Sequence, residues 1–112
     1  MKISRVKLYS FPVRGGTEWL VLEISSESNQ KGFSELTMSN YSQNNQLQIA
    51  LNKKFKKLSG IEIYNDDQIS ELIHNEEAYT NLAIATSISG IRSACLDIFA
   101  KEASKSIREY LR

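Results

Sequence analysis

One cysteine, one histidine, one proline and one tryptophan occur among the 112 residues, with only five glycines. A lone Cys95 excludes an internal disulfide, and with His74 as the single imidazole neither a zinc cluster nor a Cys-His pair can be assembled except by chance proximity. The glycines make no phosphate-cradling loop, since Gly15-Gly16 lacks both the spacing and the lysine. Charge of one sign is also missing. Fourteen basic and thirteen acidic residues leave a net charge of +1, no field for nucleic acid or an anionic membrane. No window approaches the roughly 20 continuous apolar residues that cross a bilayer, and the opening Met1-Lys2-Ile3-Ser4-Arg5-Val6 has no apolar stretch of signal-sequence length. The expectation is a soluble chain of the reducing cytoplasm, with neither nucleic acid nor membrane as partner.

What is present is an ordinary folding composition, 41% hydrophobic and 24% charged, in a chain long enough for one core. Ile3 to Phe11, Glu18 to Ser25 and Gly32 to Met38 are rich in branched and aromatic residues and read as strands. Pro12 with Gly15-Gly16, and Ser28-Asn29-Gln30-Lys31-Gly32, make the connections short enough for an antiparallel meander. Alternation in the middle strand assigns Leu20, Leu22 and Ile24 to the core and leaves Trp19, Val21 and Glu23 on a face that needs other cover.

From about Tyr41 the period lengthens. Leu47, Ala50, Leu51, Phe55 and Leu58 form a helical stripe that Ser59-Gly60 ends. Asn65-Asp66-Asp67-Gln68 has a capping-box pattern opening a short helix through Ile69, Leu72 and Ile73. A long helix is expected from about Ala78 to Ala103 on the stripe Ile84, Ile88, Ile91, Cys95 and Ile98, with Gly90 implying close packing against another backbone. A final turn, Lys105 to Leu111, puts Ile107 and Leu111 on one side. Strands first and helices afterwards make the fold α+β.

Two segments carry a resemblance. Gly32-Phe33-Ser34-Glu35 resembles the Gly-Trp-Gly-Glu element of the mandelate racemase and muconate lactonizing branch of the enolase superfamily. Gly90-Ile91-Arg92-Ser93-Ala94-Cys95-Leu96-Asp97-Ile98-Phe99-Ala100-Lys101 is similar to that branch's Ala-Ile-Glu-Met-Ala-Leu-Trp-Asp-Leu-x-Gly-Lys helix, keeping Ile91, Ala94, Asp97 and Lys101. Leu96 replaces the usual Trp, Arg92 a common acid, and Ser106 a common Pro. The resemblance spans residues 1–112 and implies a single N-terminal capping domain, a three-stranded antiparallel meander followed by three to four helices, with the catalytic (β/α) barrel absent after Arg112.

The resemblance implies that a barrel, in cis or in trans, would supply the chemistry: a base removes a proton alpha to a carboxylate, and magnesium meets the developing charge. The parent enzyme would be an isomerase, such as a racemase, epimerase or cycloisomerase, or a lyase. This chain alone is expected to have no catalytic residue, no metal ligand and no cofactor, with magnesium present only alongside a barrel.

Specificity and closure would come from two lid segments, Val13-Arg14-Gly15-Gly16-Thr17 and Thr37-Met38-Ser39-Asn40. Arg14 could meet a distal carboxylate of the substrate and Met38 line an apolar pocket; the structural alternatives are a solvated arginine and a half-buried strand end. Gly32, Glu35, Asp97 and Lys101 are the structural motif. Glu35 is open between a lid anchor and an exposed edge carboxylate, and Asp97 with Lys101 between a helix-surface pair and an interface with the barrel. Lys54-Phe55-Lys56 imitates a catalytic Lys-x-Lys, but its helical setting makes a solvated face. Cys95 belongs to the core and His74 to an exposed helix end. A competing function is a small interaction module, self-associating through an apolar surface for which Trp19, Val21 and parts of the last helix are candidates.

Overall fold

The computed structural model describes residues 1–12, 18–36 and 42–112, with no account of the Ser42 and Gln43 side chains. The strands β1 (Ile3–Pro12), β2 (Glu18–Ser26) and β3 (Lys31–Leu36) form one antiparallel sheet in the order β1-β2-β3. Helices α1 (Ser42–Leu58), α2 (Asp66–Ile73), α3 (Leu82–Glu102) and α4 (Ile107–Tyr110) follow, with a 3-10 turn at Glu76–Tyr79 before α3. Among the described residues the architecture is a meander followed by helices, with no closed barrel.

Register decides which side chains share a face. Leu22 stands between Leu8 and Ser34, and Ile24 between Val6 and Gly32, so β2 turns Leu20, Leu22 and Ile24 to the helices as their alternation requires. All three are buried with Leu47, Leu51, Ile91, Cys95 and Ile98 in one apolar cluster. The opposite face carries Tyr9, Phe11, Trp19, Val21, Glu23, Phe33 and Glu35.

α3 is the central element, touching β3, β2, α1, α2 and α4. An 18-residue window of its 21 residues has a mean hydropathy of 1.4, and the helix is long and apolar enough by length and composition to cross a bilayer, although Arg92 and Asp97 break any continuous apolar run. Here its apolar residues cover the sheet and α1: Ala83, Ile91, Ala94, Cys95, Ile98, Phe99 and Ala100 are buried.

One expected boundary moves because of an asparagine cap, and one expected capping box is not reciprocal. The long helix begins at Leu82 rather than Ala78, since the Asn81 side chain accepts the Ile84 N–H at 3.2 Å and the Asn75 side chain separately caps the 3-10 turn. At α2 the Asn65 side chain accepts the Gln68 N–H at 2.9 Å, but the Gln68 side chain reaches back to the Tyr64 N–H, one residue before the cap. Ser106, standing where the resemblance has proline, caps α4 in a capping box with Glu109.

Lys54 departs from the solvated face expected of α1. Only 3% exposed, it is turned toward the start of α3, while Lys53, Lys56 and Lys57 are exposed. Periodicity explains it: Lys54 lies three residues after Leu51 and four before Leu58, on the buried stripe itself.

Candidate functional site

The motif residues Gly32, Asp97 and Lys101 meet at the seam between β3 and α3. β3 is an edge strand, so alternate backbone groups along it lack a strand partner. Asp97 Oδ2 accepts the Phe33 N–H at 3.0 Å, and Lys101 Nζ donates to the Lys31 carbonyl at 2.6 Å. The helix thereby closes the strand edge. Lys101 Nζ is also 3.3 Å from Asp97 Oδ2 and 5.4 Å from the centre of the Phe33 ring.

Such closeness requires glycine at position 32, where an added Cβ would lie 1.9 Å from the Ala94 carbonyl oxygen. One turn earlier on α3, Gly90 accepts the Ser34 hydroxyl at its carbonyl, 2.8 Å away. The neighbour that Gly90 accommodates is the Leu36 side chain, 2.3 Å from an added Cβ, and not the backbone expected from sequence. Asp97 and Lys101 thus form the helix pair expected from their spacing and also join strand to helix within the chain. Glu35 is exposed on the outer face, opposite Val21.

The register also brings together the strand ends that flank the two candidate lid segments. Pro12 pairs with Glu18, and Leu20 pairs with both Ser10 and Leu36, so β1 leaves, β2 enters and β3 leaves at one end of the sheet. Arg14, Gly15, Gly16, Thr17, Thr37, Met38, Ser39 and Asn40 themselves lie outside the described residues, as does Val13. A residue that periodicity does not mark organises this end: Glu18 Oε2 accepts from Ser10 Oγ and from Asn44 Nδ2, each at 2.6 Å, joining β1, β2 and α1.

Beside it the outer sheet face stays open. Phe11 and Trp19 are 47% and 49% exposed with ring centres 5.9 Å apart, and Tyr9 stacks on Phe11 at 6.4 Å. Glu23 on this face is nevertheless buried, accepting from Tyr9 Oη at 2.5 Å with Lys31 at 3.3 Å and Arg5 at 4.0 Å. The Tyr9 hydrogen bond, helped by Lys31 and Arg5 and opposed by burial, holds its carboxyl below the usual range. Ile107 and Leu111 are exposed too, but on α4, which rests on α3 in the helical layer. Trp19, Val21 and the last helix therefore belong to two layers rather than one surface.

Between α2 and α3, Arg92 and Asp66 form a bidentate pair, Nε to Oδ1 at 2.9 Å and Nη2 to Oδ2 at 2.5 Å. It lowers the Asp66 pKa and raises that of Arg92. Cys95 is fully buried, and desolvation, with the Asp66 charge adding to it, pushes its thiol up to about 12. His74 is exposed at the end of α2. Among the described residues no three His, Cys, Asp or Glu side chains gather as metal ligands, so those residues do not fit a magnesium site.

No protein-family model matches the sequence, and no curated protein does. Solved structures do. A mandelate racemase/muconate lactonizing enzyme from Bordetella bronchiseptica RB50 aligns over 98% of this chain and 33% of its own, with a TM-score of 0.83 and 14% identity. An enolase from environmental sequencing of the Sargasso Sea aligns over 91% and 29%, with a TM-score of 0.78 and 19% identity. A mandelate racemase/muconate lactonizing enzyme from Jannaschia sp. CCS1 aligns over 92% and 28%, with a TM-score of 0.74 and 19% identity.

The fold is that of one part of these mandelate racemase/muconate lactonizing enzyme structures. This chain spans a third or less of the length of each of these proteins. Within this fold, Gly32, Asp97 and Lys101 make the strand-to-helix seam, and the ends of β1 and β3 share one end of the sheet with the start of β2.

Proposed function

We propose that the chain is the capping domain of a mandelate racemase/muconate lactonizing enzyme-like protein, in which segments 13–17 and 37–40 close over the mouth of a (β/α) barrel and shape its substrate range. The carrying observation is the common end of the sheet from which both segments depart, in a fold matching a third or less of such enzymes. The barrel, in cis or in trans, would supply the groups that remove a proton alpha to a carboxylate and any magnesium they require. Cytoplasmic residence belongs to the same proposal.

A chimera tests this reading: this chain placed before the barrel of the Bordetella bronchiseptica enzyme, with exchange of the alpha proton for deuterium followed by NMR over a panel of carboxylic acids. Exchange should occur, and Arg14→Ala and Met38→Ala should change the relative kcat/KM among acids by about tenfold, a difference of roughly 1.4 kcal/mol. A folded chimera whose acid preferences ignore both substitutions would refute a role in specificity.

The open Tyr9, Phe11 and Trp19 cluster favours a second reading, a small α+β module that self-associates through the outer sheet face. Light scattering distinguishes the two. A dimer that Trp19→Ser converts to monomer supports self-association; a monomer that gains a barrel partner supports the cap.

A further inference from the structure

The second half of α1 faces the 3-10 turn and the start of α3 across a groove of about 650 Å³. This is the size range of small-molecule sites. Its walls include Lys53, Lys54, Lys56 and Lys57, against the single carboxylate of Glu77. Ile49, Ala50, Ala83 and Ile84 add an apolar strip.

Lys54 is the unusual member. At 3% exposure it has no hydrogen-bond or ion-pair partner among the described residues. Burial lowers its pKa, Lys57 and Lys53 lower it further, and Glu77 opposes them. The Lys54 ammonium keeps some contact with solvent in the groove, and a charge on so enclosed a side chain gains from an anion or a set of acceptors that compensates it.

The start of α3 adds positive potential from the other wall. Its first turn contains no acidic residue, and the Asn81 side chain serves only the Ile84 N–H. The Leu82 and Ala83 N–H groups have no partner among the described residues. A 21-residue helix therefore presents donors and the positive end of its dipole to the groove that Lys54 lines.

We propose that this groove binds a small molecule bearing an oxyanion, a carboxylate or a phosphate monoester, which pairs with Lys54 and the first turn of α3 while its apolar part lies along Ile49, Ala50 and Ile84. The mixed lining selects for this chemistry. Lysines and helix donors recognise the anion, and the apolar strip accepts a short hydrocarbon body but gives a bare inorganic ion little contact.

The test uses the 112-residue chain, with hexyl phosphate and hexanoate titrated separately against chloride at constant ionic strength and amide shifts followed by NMR. Saturable shifts at Leu82 to Ile84 with hexanoate binding tighter assign the carboxylate class, and tighter hexyl phosphate assigns the phosphoryl class. Lys54→Met retains the apolar stem and should weaken binding about tenfold to a hundredfold. Should that variant fail to fold, Asn81→Asp keeps a capping residue, adds a negative charge at the groove, and should give a loss of the same sign. Shifts no larger than chloride produces, or unchanged affinity in whichever variant folds, would overturn the proposal.

Discussion

The carboxylate of Asp97 accepts the backbone N–H of Phe33 at 3.0 Å, a bond from the central helix to the free edge of the last strand. Asp97→Ala removes the acceptor from an exposed strand-edge donor and should cost about 0.5–1.5 kcal/mol in urea denaturation. Amide exchange at Phe33 should accelerate in the same variant, whereas Lys101→Met, which leaves that bond intact, should not change it. Equal Phe33 protection in wild type and Asp97→Ala would dispose of the edge-closing role.

Gly32 and Gly90 should respond differently to alanine. At Gly32 the obstacle is the Ala94 backbone, which cannot yield without moving the helix, so Gly32→Ala should cost roughly 2–3 kcal/mol or more. At Gly90 the obstacle is the tip of Leu36, and alanine also recovers about 1 kcal/mol of helix propensity. Denaturation midpoints of the two variants decide the order; Gly90→Ala falling as far as Gly32→Ala contradicts it.

Acid should weaken the fold through Asp66 and Glu23. Both carboxyls titrate lower in the folded chain than ordinary carboxylates, Asp66 because Arg92 bonds it and Glu23 because Tyr9 does. The folded state therefore binds fewer protons. Their contribution is complete above the unfolded pKa of roughly 4 and disappears as the pH falls through the lower folded values. Arg92→Met should flatten the acid side of a stability–pH curve measured by urea midpoints. An unchanged slope would remove Asp66 from the explanation.

Cys95 should be inert. With its thiol at about 12 and fully buried, it should not react with a disulfide reagent at about pH 8 until denaturant unfolds the chain. Stoichiometric labelling of the native chain within minutes would contradict this placement.

Much of the fold is legible along the chain because its signals are local. Strand alternation places Leu20, Leu22 and Ile24 inward, the stripe through Ile91, Cys95 and Ile98 marks the central helix, and Asn65 marks the start of α2. Exceptions arise where a local signal has two outcomes. Asn81 and Asn75 could cap or continue a turn, and Lys54 is buried because its place on the α1 stripe outweighs its charge. Nothing local distinguishes those outcomes.

Identity alone made the chain α+β, with its order of elements and the face each buries, since period 2 and period 3.6 are properties of consecutive residues. Tertiary structure decided what the motif residues do. Asp97 and Phe33 are 64 residues apart, Lys101 and Lys31 70 apart, and Arg92 and Asp66 26 apart. Hydrogen bonds and charges act over a few ångströms, so only the docking of α3 on β3 and α2 gives those residues partners. The docking of α3 on α1 likewise makes Lys54 and the first turn of α3 line one groove.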